Sequence, residues 1–171
     1  MENLTEIFEK RKDDPRWNTS YPLSPNDWKV YRVSEELSFY GEKELSFYIH
    51  IPFCKNLCSF CEYTRMLCPS DELQEQYVAT LKDDIRVFMK KYPSIKLCGF
   101  DVGGGTPTVL NDKAFEKLLN LCHEVMTTLD LVGSFVPSIE ATFETLSEKK
   151  IEQLVKGGFR RVSLGVQSTS E

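Results

Sequence analysis

Three cysteines fall within eight consecutive positions, directly after a run of residues typical of a β-strand. Cys54, Cys58 and Cys61 have the spacing C-x3-C-x2-C. A structural zinc site takes four protein ligands, and the only nearby candidate for the fourth is His50, which is poorly placed inside the strand. A four-iron cluster held by three thiolates would keep one iron open to a substrate or cofactor. The spacing alone leaves a cluster, a zinc site and coincidence open.

The composition restricts the classes of function that the chain can have. Its 171 residues suffice for one domain with a sizeable core. The net charge of -5 and the pI of about 5.2 indicate no basic surface for nucleic acid or an anionic membrane. The polar start and the lack of a long apolar run predict no signal peptide and no membrane span. Clustered cysteines in such a chain indicate metal binding or chemistry in a reducing, cytoplasmic location.

Hydrophobic patterning predicts alternating strands and helices. Aromatic and β-branched runs predict four strands, at 45–53, 95–102, 134–141 and 160–167. Pro137 is the weak point of the third strand. Between the strands, apolar residues recur at helical spacing, and Ser70 and Ser147 are suited to begin two of the helices as N-caps. The β-α-β-α-β-α-β order predicts an α/β fold with a parallel sheet whose helices form the crossovers.

The residues that could do chemistry follow the predicted strands. In a parallel sheet the carboxyl ends of the strands meet at one edge, where ligands bind. The cysteines follow the first strand and the GGGTP run (103–107) follows the second, while Glu140 and Gln167 lie near the ends of the third and fourth. Each of these features alone has an ordinary explanation, as a turn or a solvated strand end. Their convergence on one edge predicts a binding site.

The remaining candidate ligands have simpler explanations. Cys68, Cys98 and Cys122 are predicted to act as small hydrophobic residues, Cys98 within a strand and Cys122 on the apolar stripe of a helix. His123 is expected on the exposed surface of that helix. These residues are therefore not assigned to the predicted site.

Several motifs together resemble those of a known enzyme family. The segments YIHIPFCKNLCSFC, GGGTPT, IEATFETL and GFRRVSLGVQS are similar to the radical S-adenosylmethionine (SAM) superfamily, in particular to the branch that contains oxygen-independent coproporphyrinogen III oxidase. PRWNTSYPLSP (15–25) resembles a segment ahead of that branch's barrel. The resemblance implies a partial TIM-like barrel of about three and a half βα units at 44–171, after an N-terminal extension at 1–43. Because a complete barrel needs more units, the chain is expected to be the N-terminal part of a longer protein.

The same resemblance implies roles for individual residues. Cys54, Cys58 and Cys61 would hold a [4Fe–4S] cluster whose open iron is chelated by the methionine end of SAM. The reduced cluster would cleave SAM to a 5′-deoxyadenosyl radical, which abstracts a substrate hydrogen. Glycines without a Cβ would let the backbone approach SAM closely. The expected SAM contacts comprise two aromatic residues, the glycine-rich turn, a ribose-binding carboxylate and a glutamine: Tyr48, Phe60, Gly103, Gly104, Gly105, Thr106, Glu140 and Gln167.

Two departures from the family pattern bear on the substrate. The oxidase has a further cysteine two positions after the third ligand, where this chain has Tyr63, and heme-chaperone relatives also lack that cysteine. The usual E-x-N/D-P reads EATF (140–143) here, which keeps the carboxylate. The resemblance implies either decarboxylation of a tetrapyrrole, coproporphyrinogen III, with a flavodoxin or ferredoxin as electron donor, or a heme-binding chaperone. A non-catalytic fragment that binds zinc through the cysteines is the third alternative.

Overall fold

Strands and helices alternate along the part of the chain that the computed structural model describes, residues 43–166. The strands are β1 (Glu44–Ile51), β2 (Phe53–Cys54), β3 (Met66–Leu67), β4 (Lys96–Gly104), β5 (Asp130–Leu131), β6 (Ser138–Thr142) and β7 (Arg161–Gly165). The α-helices are α1 (Asp71–Lys91), α2 (Asp112–Thr128) and α3 (Glu148–Lys156), and a 3₁₀ helix spans Pro107–Val109. This order confirms the predicted α/β alternation and adds three short strands, β2, β3 and β5. The predicted extension at 1–43 lies outside the described residues except for its last residue.

One parallel sheet organises the fold. Its main strands lie in the order β1-β4-β6-β7, and every neighbouring pair is parallel. An α-helix connects each of these four main strands to the next main strand, because parallel neighbours cannot be joined by a tight turn. The topology is therefore a row of βα units side by side, which confirms the predicted parallel α/β fold.

Short polar side chains determine where the helices begin. Ser70, Asn111 and Ser147 each accept the backbone N–H three residues further on, at 3.4, 2.9 and 3.3 Å. Each bond satisfies one of the N–H groups that the first helical turn leaves without a partner. The predicted caps Ser70 and Ser147 are thus confirmed. None of the helices within residues 43–166 has the length and apolar character needed to cross a membrane.

An apolar core fills the space between the helices and one face of the sheet. Phe100 of β4 lies at its centre, with its ring centroid 6.5 Å from that of Phe47 and 6.4 Å from that of Phe159. Cys122 of α2 is fully buried in this core, as predicted, and His123 is exposed, as predicted. The other buried side chains of α2 are Ala114, Phe115, Leu118, Leu119, Leu121 and Val125.

The opposite face of the sheet is polar. Tyr48, Asp101, Ser138 and Arg161 occupy neighbouring register positions on the four main strands. The Ser138 hydroxyl donates to the Asp101 carboxylate, and Arg161 donates to both side chains, at 3.1 and 3.2 Å. The next row toward the carboxyl edge contains His50, Gly103, Glu140 and Ser163. This polar face leads directly to the edge at which the site is predicted.

The strand ends differ in detail from the prediction. β4 continues to Gly104, so two of the three glycines belong to the strand and only Gly105 begins the turn. β6 begins at Ser138, directly after Pro137, because proline has no N–H to donate to the neighbouring strand. Glu140 consequently lies in the middle of β6 and not at its end.

The prediction that Cys98 acts as a small buried residue is wrong. Its side chain is exposed. The register between β1 and β4 shifts at this point: Leu45 pairs with Leu97, and Ser46 pairs with Gly99. Cys98 is therefore the extra residue of a β-bulge, where β4 departs from regular pairing with β1. Its place within a strand, on which the prediction depended, does not by itself imply burial.

Candidate functional site

A cleft of about 620 Å³ opens at the carboxyl edge of the sheet. Its walls come from the loop between β2 and β3, the end of β4, the segment after β6 and the end of β7. Among the predicted site residues, those that line it are Cys54, Cys58, Phe60, Cys61, Gly104, Gly105, Thr106 and Glu140. Tyr48 and Gly103 do not line the cleft, but they lie next to the carboxylate of Glu140, which does. Gln167 lies outside the described residues.

The three cysteines differ in burial. Cys54 is buried at the end of β2, Cys58 is exposed and Cys61 is partly buried. Burial raises the pKa of the Cys54 thiol, and the Thr106 hydroxyl, whose oxygen lies 4.0 Å from Sγ, partly opposes that increase. In the ligand-free chain Cys54 is therefore a protonated thiol at neutral pH, and binding of a metal would displace its proton.

Backbone hydrogen bonds hold the cysteine segment against the sheet. The N–H of Gly105 donates to the carbonyl of Ile51 at 2.8 Å, and the N–H of Thr106 donates to that of Phe53 at 2.7 Å. The turn after β4 is thereby tied to the chain on either side of Pro52. This connection fixes the position of Cys54 relative to the glycines.

His50 anchors the far part of the same loop. Its Nε2 donates to the carbonyl of Thr64 at 2.7 Å. Because that carbonyl belongs to the loop after Cys61, the bond ties the end of the loop to β1. His50 therefore has a structural partner already and does not join the cysteines as a fourth ligand in this structure.

The three glycines lack a Cβ at positions where neighbouring side chains leave no room for one. An added Cβ would lie 2.7 Å from the Glu140 carboxylate at Gly103, 2.6 Å from the His50 ring at Gly104 and 2.8 Å from Sγ of Cys54 at Gly105. Gly104 also has φ +112°, a conformation that other residues rarely adopt. At Gly105 the carbonyl oxygen of Phe53 is closer still, at 2.6 Å. The glycine run is therefore required by the packing of the site's own side chains and backbone, whatever ligand it contacts.

Glu140 lies at the centre of the polar edge. Its Oε2 accepts the N–H of Gly104 at 2.9 Å. Burial raises the pKa of Tyr48 to about 12, and the negative charge of Glu140 contributes to the increase. An ionised carboxylate has about four lone-pair positions, so the bond to Gly104 leaves capacity to accept further donors, such as the hydroxyls of a diol.

Exposed aromatic side chains surround the cleft. Phe60, Tyr63 and Phe143 are 65%, 60% and 69% exposed, and all three line it. The Lys55 ammonium lies 2.9 Å from the Glu144 carboxylate and so joins the cysteine loop to the loop after β6. Aromatic rings beside a few convergent polar groups are typical of sites for small molecules with flat rings.

Comparison with known protein families agrees with this arrangement. The model of the radical SAM superfamily matches residues 48–171, which include the second half of β1, the cysteines, the glycine run and Glu140. The chain belongs to the radical SAM superfamily.

Named relatives of this radical SAM chain fall into two groups. Oxygen-independent coproporphyrinogen III oxidase from Salmonella typhimurium is 31% identical over 156 residues, 90% of this chain and 33% of the oxidase. Heme chaperone HemW from Bacillus subtilis is 32% identical over 123 residues, 72% of this chain and 32% of the chaperone. The chain thus spans about a third of the length of these curated relatives.

A solved structure has the same fold. Coproporphyrinogen III oxidase (HemN) from Escherichia coli, described as a radical SAM enzyme, superposes with a TM-score of 0.65 at 29% identity. The match covers 75% of this chain and 29% of the oxidase. The parallel βα units of this chain are therefore part of a HemN-like radical SAM fold.

The donor set of this radical SAM chain fits the iron–sulfur cluster that the superfamily implies. Three free cysteines line one cleft, and the glycine at position 105 lets the turn after β4 pack directly against Cys54. Thiolates are the usual ligands of such clusters. Within residues 43–166, no three His, Cys, Asp or Glu side chains are already arranged to hold a metal ion. The cysteines thus share the cleft without forming a closed ligand set.

Among the residues that line the cleft and that the sequence interpretation did not assign to the site, two have side chains suited to contact a ligand or cluster. Arg65 follows Cys61 in the same loop, and Phe143 follows β6. The sequence contained an indication of each, because Arg65 is a cation close to three potential thiolates and Phe143 occupies the position where the family pattern has proline. Neither could be assigned without knowing how the two loops fold over the edge of the sheet.

Proposed function

We propose that the chain is the cluster- and SAM-binding part of a radical SAM oxidoreductase that acts on a tetrapyrrole. The reaction is oxidative decarboxylation of coproporphyrinogen III propionates in heme biosynthesis, with a flavodoxin or ferredoxin as electron donor in the cytoplasm. The observation that carries the proposal is the meeting of three free thiols, a glycine run and a carboxylate in one cleft. The similarity to oxygen-independent coproporphyrinogen III oxidases supports the choice of substrate.

Each site residue has a role in this proposal. Cys54, Cys58 and Cys61 bind a [4Fe–4S] cluster as thiolates and leave one iron for the methionine end of SAM. Glu140 accepts hydrogen bonds from the ribose hydroxyls. When bound, the cluster and SAM together supply the 5′-deoxyadenosyl radical that abstracts a hydrogen from the substrate. The remaining proposed SAM contacts are Tyr48, Phe60, Gly103, Gly104, Gly105, Thr106 and Gln167.

Phe60 and Cys54 have further proposed roles that follow from their positions in the cleft. Phe60 lies between the last two cysteines and is exposed to the cleft, so that its ring can cover the adenine and exclude water from it. Burial keeps Cys54 protonated in the free chain, so cluster binding has to release its proton. Assembly of the site is therefore expected to be favoured by mildly alkaline conditions.

Anaerobic reconstitution with iron and sulfide tests the cluster. We expect about four irons per chain and an EPR signal of the reduced cluster that changes when SAM is added. Cys58→Ala should lose the normal cluster. Cys98→Ala is the matched control, because Cys98 is exposed but does not line the cleft. A protein that binds one zinc and no cluster, or a Cys58→Ala variant with a normal cluster, would contradict the proposal.

Equilibrium dialysis of SAM against the reconstituted protein tests Glu140. Replacing Glu140 by Gln removes the charge and one acceptor, and should weaken SAM binding about tenfold, which corresponds to about 1.4 kcal/mol. Glu148→Gln is the control, since Glu148 is an exposed residue in the first turn of α3 and does not line the cleft. Equal SAM affinity in both variants would remove Glu140 from the proposed site.

A heme chaperone is the second candidate function. Tyr63 favours it, because this residue lines the cleft and is 60% exposed at the position where the oxidase pattern has a further cysteine. The 32% identity to heme chaperone HemW supports the same alternative. Uptake of heme without loss of coproporphyrinogen III in an anaerobic assay with SAM and reductant would favour the chaperone. Consumption of coproporphyrinogen III would favour the oxidase.

A further inference from the structure

Arg65 is bound to the backbone of the cysteine loop. It follows Cys61 in the segment that leads to β3, its side chain is partly buried and it lines the cleft. Its Nη2 donates to the carbonyl of Cys58 at 2.7 Å. The guanidinium group therefore stays beside the loop that carries the three thiols.

The Nε of this guanidinium group lacks a hydrogen-bond partner among the described residues. This atom is also shielded from solvent. Lys55, the other cation of the cleft, differs because it is paired with Glu144 at 2.9 Å. No carboxylate of residues 43–166 forms a comparable ion pair with Arg65. A shielded N–H without an acceptor costs free energy, which indicates that a group absent from the free chain completes the bond.

The position of Nε restricts what that group can be. Because Nε has no contact with solvent, a dissolved anion cannot reach it unless the loop opens. The bond from Nη2 to the Cys58 carbonyl directs the guanidinium group toward the loop. The acceptors that the loop itself would bring to Nε are the sulfurs of its cysteines and of a cluster bound to them. Such a group carries negative charge, which a guanidinium group can neutralise.

We propose that Arg65 is a positioning residue that holds the Cys58 turn and neutralises the negative charge of the thiolate-bound iron–sulfur cluster. The inference rests on the proposed cluster site and adds a function for a side chain outside the cysteine motif. A positive charge next to the cluster stabilises its more negative, reduced state. Arg65 therefore raises the reduction potential of the cluster and slows the loss of iron.

The test uses the full chain, reconstituted anaerobically, in four forms: wild type, Arg65→Gln, Arg65→Lys and Arg86→Gln. Arg86 is the matched control, since it is an exposed arginine on α1 that is paired with Glu124. Two quantities are measured: the midpoint potential in an EPR-monitored redox titration, and the rate at which a chelator removes iron. Circular dichroism at the start of each series reports whether the variant is folded.

The proposal predicts a distinct result for each variant. Arg65→Gln should shift the potential to more negative values and lose iron about tenfold faster than wild type, which corresponds to about 1.4 kcal/mol. Arg65→Lys retains the charge, so it should keep a potential near that of wild type, but it should lose iron faster because an ammonium group cannot donate in the same planar fork. Arg86→Gln should match wild type in both quantities.

Three outcomes would contradict the inference in different ways. If wild type takes up a cluster and both Arg65 variants match it in potential and iron loss, the role of Arg65 is wrong and the cluster site stands. If wild type takes up no cluster, the proposed site itself fails, and the inference fails with it. If Arg65→Gln does not fold, Arg65→Lys decides, because iron loss at the wild-type rate would contradict the proposed hold of the guanidinium group on the Cys58 turn.

Discussion

The apolar core and the cleft differ in the solvent exposure of their large side chains. Phe100 and Phe115 in the core are 1% and 0% exposed, whereas Phe60 and Phe143 in the cleft are 65% and 69% exposed. The rings and aliphatic chains of the core are buried against one another in a single cluster. The rings of the cleft face space that a ligand can fill. Within the same βα units, the buried core therefore stabilises the fold, and the open cleft provides the surface for binding.

The largest difference is expected from truncating one aromatic ring in each region. Phe100→Ala removes a buried ring that packs between Phe47 and Phe159, and should lower the free energy of unfolding by about 3–5 kcal/mol. Phe60→Ala removes an exposed ring and should change it by about 0.5 kcal/mol or less. Urea denaturation under reducing conditions measures both values. A large loss for Phe60→Ala would show that the cleft is packed as part of the core.

The glycine run provides a test at the boundary between the two regions. Gly104→Ala would bring a Cβ to 2.6 Å from the His50 ring at φ +112°, and should cost about 2–4 kcal/mol of unfolding free energy. Gly133→Ala is the control, since Gly133 has φ +67° but no atom within 4 Å of an added Cβ. It should cost about 1 kcal/mol from backbone strain alone. Equal losses in the two variants would mean that the clash with His50 is relieved by a shift of the ring.

The same boundary separates what the sequence could predict from what it could not. The core was predictable because buried apolar residues recur at regular spacing along each helix and strand. The starts of two helices were predictable because Ser70 and Ser147 accept N–H groups only three residues away. The site was predictable to the extent that residues at the ends of parallel strands meet at one edge. Cys54 and Glu140 accordingly line one cleft although they are far apart in sequence.

Contacts between loops and irregular strand geometry were not predictable. The bond from Arg65 to the Cys58 carbonyl depends on the path of the loop, and the loop has no periodic pattern. The bulge at Cys98 inserts one residue into β4, which no local feature of the sequence indicates. The space at Gly104 is filled by His50, a residue of another strand, so its requirement for glycine is a tertiary effect.

Alkaline pH should destabilise the core through Cys122. Burial raises the pKa of this thiol above its ordinary value of 9.0. Above that pH the unfolded chain releases the proton and the folded chain retains it. The contribution of Cys122 to the free energy of unfolding is therefore fully present below about pH 9 and is lost as the pH rises. The loss should approach about 1.4 kcal/mol for each pH unit above about 9. Denaturant unfolding at pH 8 and pH 10 measures it, and Cys122→Val should remove this contribution. An unchanged pH dependence in Cys122→Val would contradict the assignment.

The smallest effect is expected at the entrance of the cleft, where Lys55 and Glu144 join two loops. Both side chains are 61% exposed, so water and salt weaken their attraction. A double-mutant cycle with Lys55→Ala and Glu144→Ala should give a coupling of less than about 1 kcal/mol in low salt, and less in high salt. A coupling well above this value, or one insensitive to salt, would mean that the pair is shielded from water. The two loops would then close the cleft without a ligand, and the contrast between a buried core and an open cleft would not hold.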